Sequence, residues 1–297
     1  MDVDKSLPDT VAQLRQLADA GFAHAFASQI FGPDALTLLA AAGAQVPGIE
    51  LGTGVVPVYP RHPMMLAQQA LTVQLATGNR LILGIGLSHQ VVVEGMWGIS
   101  FEKPARYMKE YLAVLMPLLH GETVTVAGER ITANTFAPID VHDVTAPPVL
   151  VAALGETMLK LAGRVADGTV TWMTGTQTIE SHISPVIRAA AEKAGRPEPR
   201  IGVALPVSVT ADVETARQRI NEELAIYPTL PSYKAMLDKE GATSPADVGF
   251  IGDEDAVTAS IEKLAAGGAT DFVAAIVGNR EERERTFALL SSLARSG

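Results

Sequence analysis

Short apolar runs alternate with amphipathic helical segments along most of this chain, and this alternation is the feature that most restricts its fold. Residues 8–20 carry Val11 and Leu14 at helical spacing, and an apolar run at 23–28 follows them. A continuous apolar run is typical of a strand buried on both faces, as found in parallel sheets that helices cover. The alternation therefore predicts an α/β fold with a parallel sheet.

Seven clear strands are predicted, one fewer than a closed barrel needs, so either the first strand is only a few residues long or the chain begins partway through it. Asp2-Val3-Asp4 is too short to be a convincing first strand. Seven clear strands would also fit a doubly wound open sheet, but no G-x-G-x-x-G fingerprint follows a strand. We therefore predict one domain, residues 1–297, folded as a (β/α)8 TIM barrel with insertions at the carboxyl ends of the strands. The strands are predicted at 23–28, 48–56, 80–86, 148–152, 168–172, 201–209 and 271–277, and the helices at 8–20, 33–43, 63–77, 105–121, 157–165, 179–194, 213–226, 253–267 and 287–293.

Two stretches depart from the repeat. Residues 87–103 are irregular, and residues 123–136 alternate apolar and polar side chains around Ala127-Gly128, which predicts a small hairpin. We expect this inserted excursion and hairpin to occupy residues 87–137. Trp97 and Phe101 fall in the excursion, where they fit either the wall of an apolar substrate pocket or a local core.

Composition excludes several classes of function. A net charge of −10 argues against nucleic acid as a partner, because phosphate binding needs concentrated lysine and arginine. The chain has no cysteine, and no set of histidine and carboxylate residues has the spacing of metal ligands. It also lacks a secretory signal and an apolar run long enough to cross a membrane. We therefore expect a cytoplasmic protein that acts on a small molecule without a metal.

Four segments resemble the luciferase-like superfamily, and their order and spacing are most similar to its branch of oxidoreductases that use the deazaflavin coenzyme F420. The resemblance covers nearly the whole chain, and each motif is weakly specific by itself. The segments are 51–63 (LGTGVVPVYPRHP), 79–89 (NRLILGIGLSH), 149–172 (VLVAALGETMLKLAGRVADGTVTW) and 250–273 (FIGDEDAVTASIEKLAAGGATDFV).

The resemblance implies hydride transfer between C5 of the deazaflavin and a small organic substrate, in the direction of reduction. The main alternative is a monooxygenase that binds flavin mononucleotide (FMN) and takes reduced flavin from a partner reductase. A further alternative is a non-catalytic flavin-binding paralogue. Relatives are commonly homodimers, and they hold a non-prolyl cis peptide behind the ring, which corresponds here to Gly54-Val55.

The cofactor-binding residues that the resemblance implies follow the predicted strands. Gly155 would let backbone approach a phosphate, and the first N–H groups of the next helix have no intrahelical acceptor. An ordinary helix start is the alternative for that segment. The implied residues are Ser28, Gln29, Gly54, Val55, Arg61, His62, Gly86, Ala153, Leu154, Gly155, Glu156, Thr157, Met158 and Trp172. Basic side chains that could attract the anionic tail of F420 are Arg61, His62, Lys103, Arg106, Lys160 and Arg164.

The catalytic group is less clear. Many F420 enzymes have an acidic residue followed by histidine after the second strand, where this chain has Gln29-Ile30. Relatives of the sugar-phosphate dehydrogenase type have glutamate where His89 stands. An imidazole, with an ordinary pKa near 6.5, is suited to donate a proton, so we predict His89 as the catalytic residue, with an ordinary loop histidine as the alternative. His182 is interpreted as a surface residue.

Overall fold

The computed structural model describes residue 1 and residues 6–296. It divides into two compact units. Unit 1 is Met1–Ala152 with Val165–Asp167, and unit 2 is Ala153–Arg164 with Gly168–Gly297. The segment Asp2-Val3-Asp4, considered above as a first strand, lies outside the described residues.

Unit 1 is built on a parallel sheet in the order β1-β2-β4-β7. Every residue of β4 is buried, as expected for a strand covered on both faces. The short β3 continues the line of β2 along β4, with Val56 opposite Ile85. The elements are α1 (Leu7–Asp19), β1 (His24–Ala27), α2 (Ala35–Gly43), β2 (Glu50–Thr53), β3 (Val56–Pro57), α3 (Pro63–Thr77), β4 (Leu81–Gly86), α4 (Gln90–Gly95), α5 (Pro104–Leu119), β5 (Thr125–Ala127), β6 (Thr132–Asn134) and β7 (Val149–Val151).

Helix α3 shows how local chemistry sets the element boundaries. The N–H of Met64 donates to Nδ1 of His62 at the N-cap, and Pro63 fits the first turn because its missing N–H would have no partner there. Gly78 ends the helix with a φ of 64°, in the left-handed region that favours glycine. The predicted helix at 63–77 is confirmed.

The predicted hairpin is also confirmed. Strands β5 and β6 pair antiparallel, with Val126 opposite Ala133. Glu110 of α5 fixes the turn, because its carboxylate accepts the N–H groups of Glu129, Arg130 and Ile131 at 3.2, 2.7 and 3.0 Å. The irregular stretch before α5 contains the short helix α4.

Unit 2 is built around the long strand β9. Three strands pair with β9 in parallel: β8, β11 and β10. Strand β10 pairs only with the last three residues of β9. Strand β10 and helix α10 were not predicted. The elements are α6 (Glu156–Val165), β8 (Gly168–Trp172), α7 (Thr176–Thr178), a π-helical turn (Ile179–Ile183), α8 (Ser184–Lys193), β9 (Arg200–Val209), α9 (Val213–Glu223), α10 (Pro231–Glu240), β10 (Phe250–Gly252), α11 (Glu254–Ala266), β11 (Asp271–Ile276) and α12 (Arg280–Ser296).

Ionic contacts hold the two ends of β9. At its start the Arg200 guanidinium donates to both carboxylate oxygens of Asp271, with Nη2 at 2.6 Å from Oδ1. Beyond its end the buried Glu282 accepts from Thr210 Oγ1 at 2.8 Å and from Arg219 Nη1 at 2.9 Å. These contacts fix the carboxyl end of β9 against α9 and α12. Among residues 6–296, no helix is long and apolar enough to cross a membrane.

Candidate active site

Several of the predicted site residues of unit 1 lie at one edge of its sheet. In the parallel ladder, Ala27 is opposite Thr53, and Ile85 is opposite both Val56 and Val151. The residues that follow these strands therefore share the carboxyl edge of the sheet. They are Ser28, Gln29, Gly54, Val55, Leu87 and, three residues after β4, His89.

Between β2 and β3 the backbone bends at Gly54-Val55, beside β4. The peptide bond between Gly54 and Val55 is cis, as the resemblance implied. The N–H of Gly54 donates to the Ala27 carbonyl at 2.8 Å, and Thr53 Oγ1 donates to the Gly84 carbonyl at 2.7 Å. These bonds attach the turn to the strands on both sides of β2.

The glycines of β4 make room for this turn. A Cβ on Gly84 would collide with the Thr53 carbonyl oxygen. A Cβ on Gly86 would stand 2.7 Å from Val55 Cγ2 and 3.3 Å from Ala152 Cβ. The chain itself therefore fills the space that the two glycines leave.

Gln29 and Arg61 are both tied to the start of α2. The side-chain carbonyl of Gln29 accepts the Ala35 N–H at 3.2 Å. The Arg61 guanidinium forms an ion pair with Asp34, the N-cap residue of that helix. Although burial raises the pKa of Asp34, hydrogen bonds from Thr37 and the charge of Arg61 bring it below its usual value. An anion at Arg61 would have to compete with the Asp34 carboxylate.

His62 serves two backbone contacts. Besides capping α3 with Nδ1, its Nε2 lies 3.1 Å from the Thr132 carbonyl in the hairpin. Because a carbonyl only accepts, Nε2 carries the proton and donates it to Thr132. The ring therefore links the start of α3 to the hairpin.

His89 begins the short helix α4. Its carbonyl accepts the N–H groups of Val92 and Val93 at 2.9 Å each, and the buried Val93 side chain anchors the helix. The imidazole is half-buried, and burial lowers its pKa below the ordinary 6.5. The neutral ring, able to accept a proton on one nitrogen and donate from the other, therefore predominates at neutral pH.

Three tyrosines and Phe101 form an aromatic cluster, of which the sequence indicated Phe101 but none of the tyrosines. The Tyr59 ring stacks on Tyr107, with centroids 4.1 Å apart, and Tyr107 lies 6.1 Å from Tyr111. Phe101 covers the group at 5.5 Å from Tyr59. Tyr59 follows β3 by two residues, so this aromatic cluster begins at the carboxyl edge of the sheet.

In unit 2, the segment from Ala153 to Met158 connects to the start of α6. Ala153 is buried, and its N–H donates to Thr169 Oγ1 at 3.3 Å. Gly155 is exposed, and no atom of the described chain lies within 4 Å of the position that a Cβ would take. Its carbonyl accepts the Leu159 N–H at 3.0 Å, which begins the helix. Small anions have room to approach this backbone.

The charges around this segment are mixed. Glu156 pairs with Lys160 one turn later, and the hydrogen bond and charge of Lys160 lower the pKa of Glu156. His182 was interpreted as a surface residue, but its Nε2 donates to the Leu154 carbonyl at 2.8 Å. That contact spans 28 residues, so no local sequence pattern indicated it.

Trp172, also in unit 2, ends β8. It is half-buried and meets Tyr227 edge-on at 5.9 Å, and Tyr227 meets Tyr233 at 5.0 Å. Tyr227 lies between α9 and α10, and Tyr233 lies in α10, which was not predicted. Within the described residues, no group of three or more histidine or carboxylate side chains could hold a metal ion.

Comparison with known proteins agrees with this architecture. The model of the luciferase-like monooxygenase family matches residues 2–284. An F420-dependent glucose-6-phosphate dehydrogenase of Nakamurella multipartita is 29% identical over 230 residues, which are 75% of this chain and 65% of that enzyme.

Two solved structures share the fold. The coenzyme F420-dependent tetrahydromethanopterin reductase of Methanopyrus kandleri superposes with a TM-score of 0.81 at 21% identity, over 97% of this chain and 95% of that one. A Baeyer-Villiger monooxygenase component of Pseudomonas putida in complex with FMN has a TM-score of 0.76 at 18% identity, over 99% and 94%. The predicted α/β TIM-barrel fold class is confirmed.

Proposed function

We propose, from the premise that this chain belongs to the luciferase-like monooxygenase family, that it is an F420-dependent oxidoreductase that reduces a small organic substrate. Relatives named for F420 dependence support the choice of cofactor. The observation on this chain that carries the proposal is the exposed, unobstructed backbone at Gly155, where α6 begins.

The start of α6 fits the phosphate of such a cofactor. The first N–H groups of a helix have no intrahelical acceptor and lie at the positive end of its dipole. Glu156 does not block them, because its carboxylate is held by Lys160. Both side chains of that ion pair are more than half exposed to solvent. Because its two charges cancel, this ion pair adds no net charge beside the start of α6.

When bound, the deazaflavin supplies a hydride from C5. The protein must then supply the proton that completes the reduction. His89 is our candidate, because it stands at the carboxyl edge of the unit 1 sheet and the ordinary pKa of an imidazole lies closer to neutrality than that of a carboxyl or a phenol group. Orientation of the substrate would be the second contribution of the chain.

The choice of cofactor is tested by comparing F420 with FMN. F420 carries more negative charge in its tail, so we expect it to bind at least about tenfold more tightly at low salt, with a smaller difference at high salt. Ion pairs within the protein reduce the expected attraction between its basic side chains and the F420 tail. Arg61 pairs with Asp34, and Lys103 and Arg106 both pair with Glu129. Dissociation constants from fluorescence titration at two salt concentrations measure both effects.

Other outcomes of the same titrations favour the alternatives. Tight binding of FMN with reductase-dependent oxygen uptake, and no response to F420, would identify a monooxygenase. We include the FMN titration because a monooxygenase component in complex with FMN shares this fold. Binding of either flavin without turnover of any substrate in a broad panel would indicate a non-catalytic paralogue.

Substitution of Gly155 by valine tests the phosphate segment. We expect the affinity for F420 to fall at least about tenfold, or about 1.4 kcal/mol, because the valine side chain would occupy the approach to the backbone. The melting temperature should change little, since no described atom lies near the added Cβ. Gly155→Ala is the matched control, with a smaller loss of affinity. An unchanged dissociation constant in folded Gly155→Val would remove this segment from the site.

A further inference from the structure

The aromatic cluster of unit 1 contains two buried hydroxyl groups without a partner. Tyr59 and Tyr111 are 5% and 0% exposed, and neither hydroxyl has a hydrogen-bond partner among the described residues. A buried tyrosine usually satisfies its hydroxyl, because an unpaired one loses its bonds to water without replacement. The two tyrosines differ in position. Tyr59 follows β3 at the carboxyl edge of the sheet, whereas Tyr111 lies in the middle of α5.

The surroundings of Tyr59 define what its hydroxyl would bind. Burial raises the pKa of Tyr59 to about 12, and Tyr107 adds to this, so at neutral pH the group is a neutral donor. Arg130 and Glu94 act on it with opposite signs, Arg130 lowering its pKa and Glu94 raising it. The hydroxyl is almost completely buried, and a charged ligand at this position would lose its hydration at a large cost. A neutral acceptor such as a carbonyl oxygen therefore matches this donor.

The excursion at residues 87–103 contributes Phe101 to the surroundings of Tyr59. Phe101 covers the Tyr59 ring and is itself only half-buried. The segment is held by Arg130, whose Nη2 donates to the Ser100 carbonyl at 2.9 Å, and by Glu94, which accepts the Phe101 N–H at 3.1 Å. Both contacts are exposed to solvent. Phe101 therefore connects the nearly buried Tyr59 ring to a surface that an apolar ligand can reach.

We propose that the Tyr59 hydroxyl donates a hydrogen bond to the carbonyl oxygen of the substrate and that Phe101 packs against the apolar body of the substrate. The proposal rests on the proposed function, and it names the substrate class as neutral cyclic or aromatic carbonyl compounds. Tyr59 thereby determines specificity, because only a ligand that carries the acceptor oxygen gains the hydrogen bond from this buried donor.

Tyr59→Phe tests this proposal, because it removes the hydroxyl and keeps the stacked ring. Tyr111→Phe is the matched control, since it removes the other unpaired hydroxyl of the aromatic cluster. The probes are cyclohexenone and methylenecyclohexane, a ring of similar size without the oxygen. Binding to each protein without cofactor is followed by the near-ultraviolet difference spectrum of tyrosine and by ligand-observed nuclear magnetic resonance.

We expect Tyr59→Phe to weaken cyclohexenone binding at least about tenfold, with Tyr111→Phe within about twofold of the unsubstituted protein. Methylenecyclohexane should bind both variants and the unsubstituted protein alike. Both variants should melt at or above the original temperature, because each loses an unpaired buried hydroxyl. Equal binding of cyclohexenone by Tyr59→Phe, or no binding by the unsubstituted protein, overturns the proposal.

A parallel F420 titration separates this proposal from the proposed function. Binding of cyclohexenone that depends on Tyr59, in a protein that does not bind F420, retains the carbonyl site and refutes the cofactor. If F420 binds tightly and cyclohexenone binds equally well to the unsubstituted protein and to Tyr59→Phe, the carbonyl site is refuted and the choice of cofactor is retained.

Discussion

Replacement of His89 by alanine is expected to lower turnover by a factor of roughly 10² to 10⁴, the range typical of a lost general acid or base. The affinity for the cofactor should largely survive, because the substitution removes a side chain at the start of α4 and leaves its backbone contacts with Val92 and Val93. Steady-state kinetics give turnover, and a fluorescence titration gives the dissociation constant.

The pH profile gives His89 a second signature. Since burial lowers the pKa of its imidazole below 6.5, the protonated form is a minority at neutral pH. A proton donor is active in its protonated form, so the rate of reduction should rise as pH falls through this lowered pKa. In the direction of oxidation the neutral ring would act as the base, and the rate should rise with pH instead. Either dependence should vanish in His89→Ala.

His120→Ala is a suitable control for His89→Ala. His120 is exposed at the end of α5, in the same unit. We expect its substitution to leave both turnover and the pH profile unchanged. If turnover falls by less than about threefold in His89→Ala, His89 is an ordinary loop residue and not the proton donor.

Substitution of Gly84 by alanine is expected to destabilise the fold by about 3 kcal/mol, at the upper end of the cost of an added methyl group in a packed core. The reason is that the new Cβ would collide with the Thr53 carbonyl oxygen, which is backbone and has no rotamer to escape. If the two strands moved apart to relieve this collision, the hydrogen bond from Thr53 Oγ1 to the Gly84 carbonyl would be strained as well. Urea unfolding measures the loss as a lower midpoint.

Gly95→Ala is the control for this substitution. It adds the same methyl group at a position with no described atom within 4 Å, and alanine favours a helix over glycine. We expect its stability to equal or slightly exceed that of the original chain. If Gly84→Ala unfolds at the same urea concentration as Gly95→Ala, the close approach of β4 to Thr53 does not constrain this strand.

The sequence predicted the elements that carry clear local signals and missed some others, including the ten-residue helix α10. Helix α3 and strand β8 have the predicted bounds, because Pro63, Gly78 and the apolar run of β8 are local signals. Strand β10 has three residues and helix α4 has six, too few for a period to emerge. The predicted strand at 48–56 is interrupted at Gly54-Val55, where the backbone turns over β4.

The candidate site was predictable only where it follows the strands. The resemblance indicated Gly54, Gly86 and the segment before α6 from residues close together in the chain. The stack of Tyr59 on Tyr107 joins residues far apart in the chain, and it depends on how α5 packs. Arg61 and His62 likewise contact residues that are distant in the sequence, Asp34 and Thr132. Sequence reasoning could name these two residues but not the contacts that already engage them.

The chain has two tryptophans, and each unit contains one of them: Trp97 lies in unit 1 and Trp172 in unit 2. Each unit therefore has its own intrinsic fluorophore. In Trp97→Phe the indole emission would come from Trp172 alone, and in Trp172→Phe from Trp97 alone. Denaturant titrations of the two variants would then yield one midpoint for each unit, and their coincidence or separation would measure the cooperativity of unfolding directly.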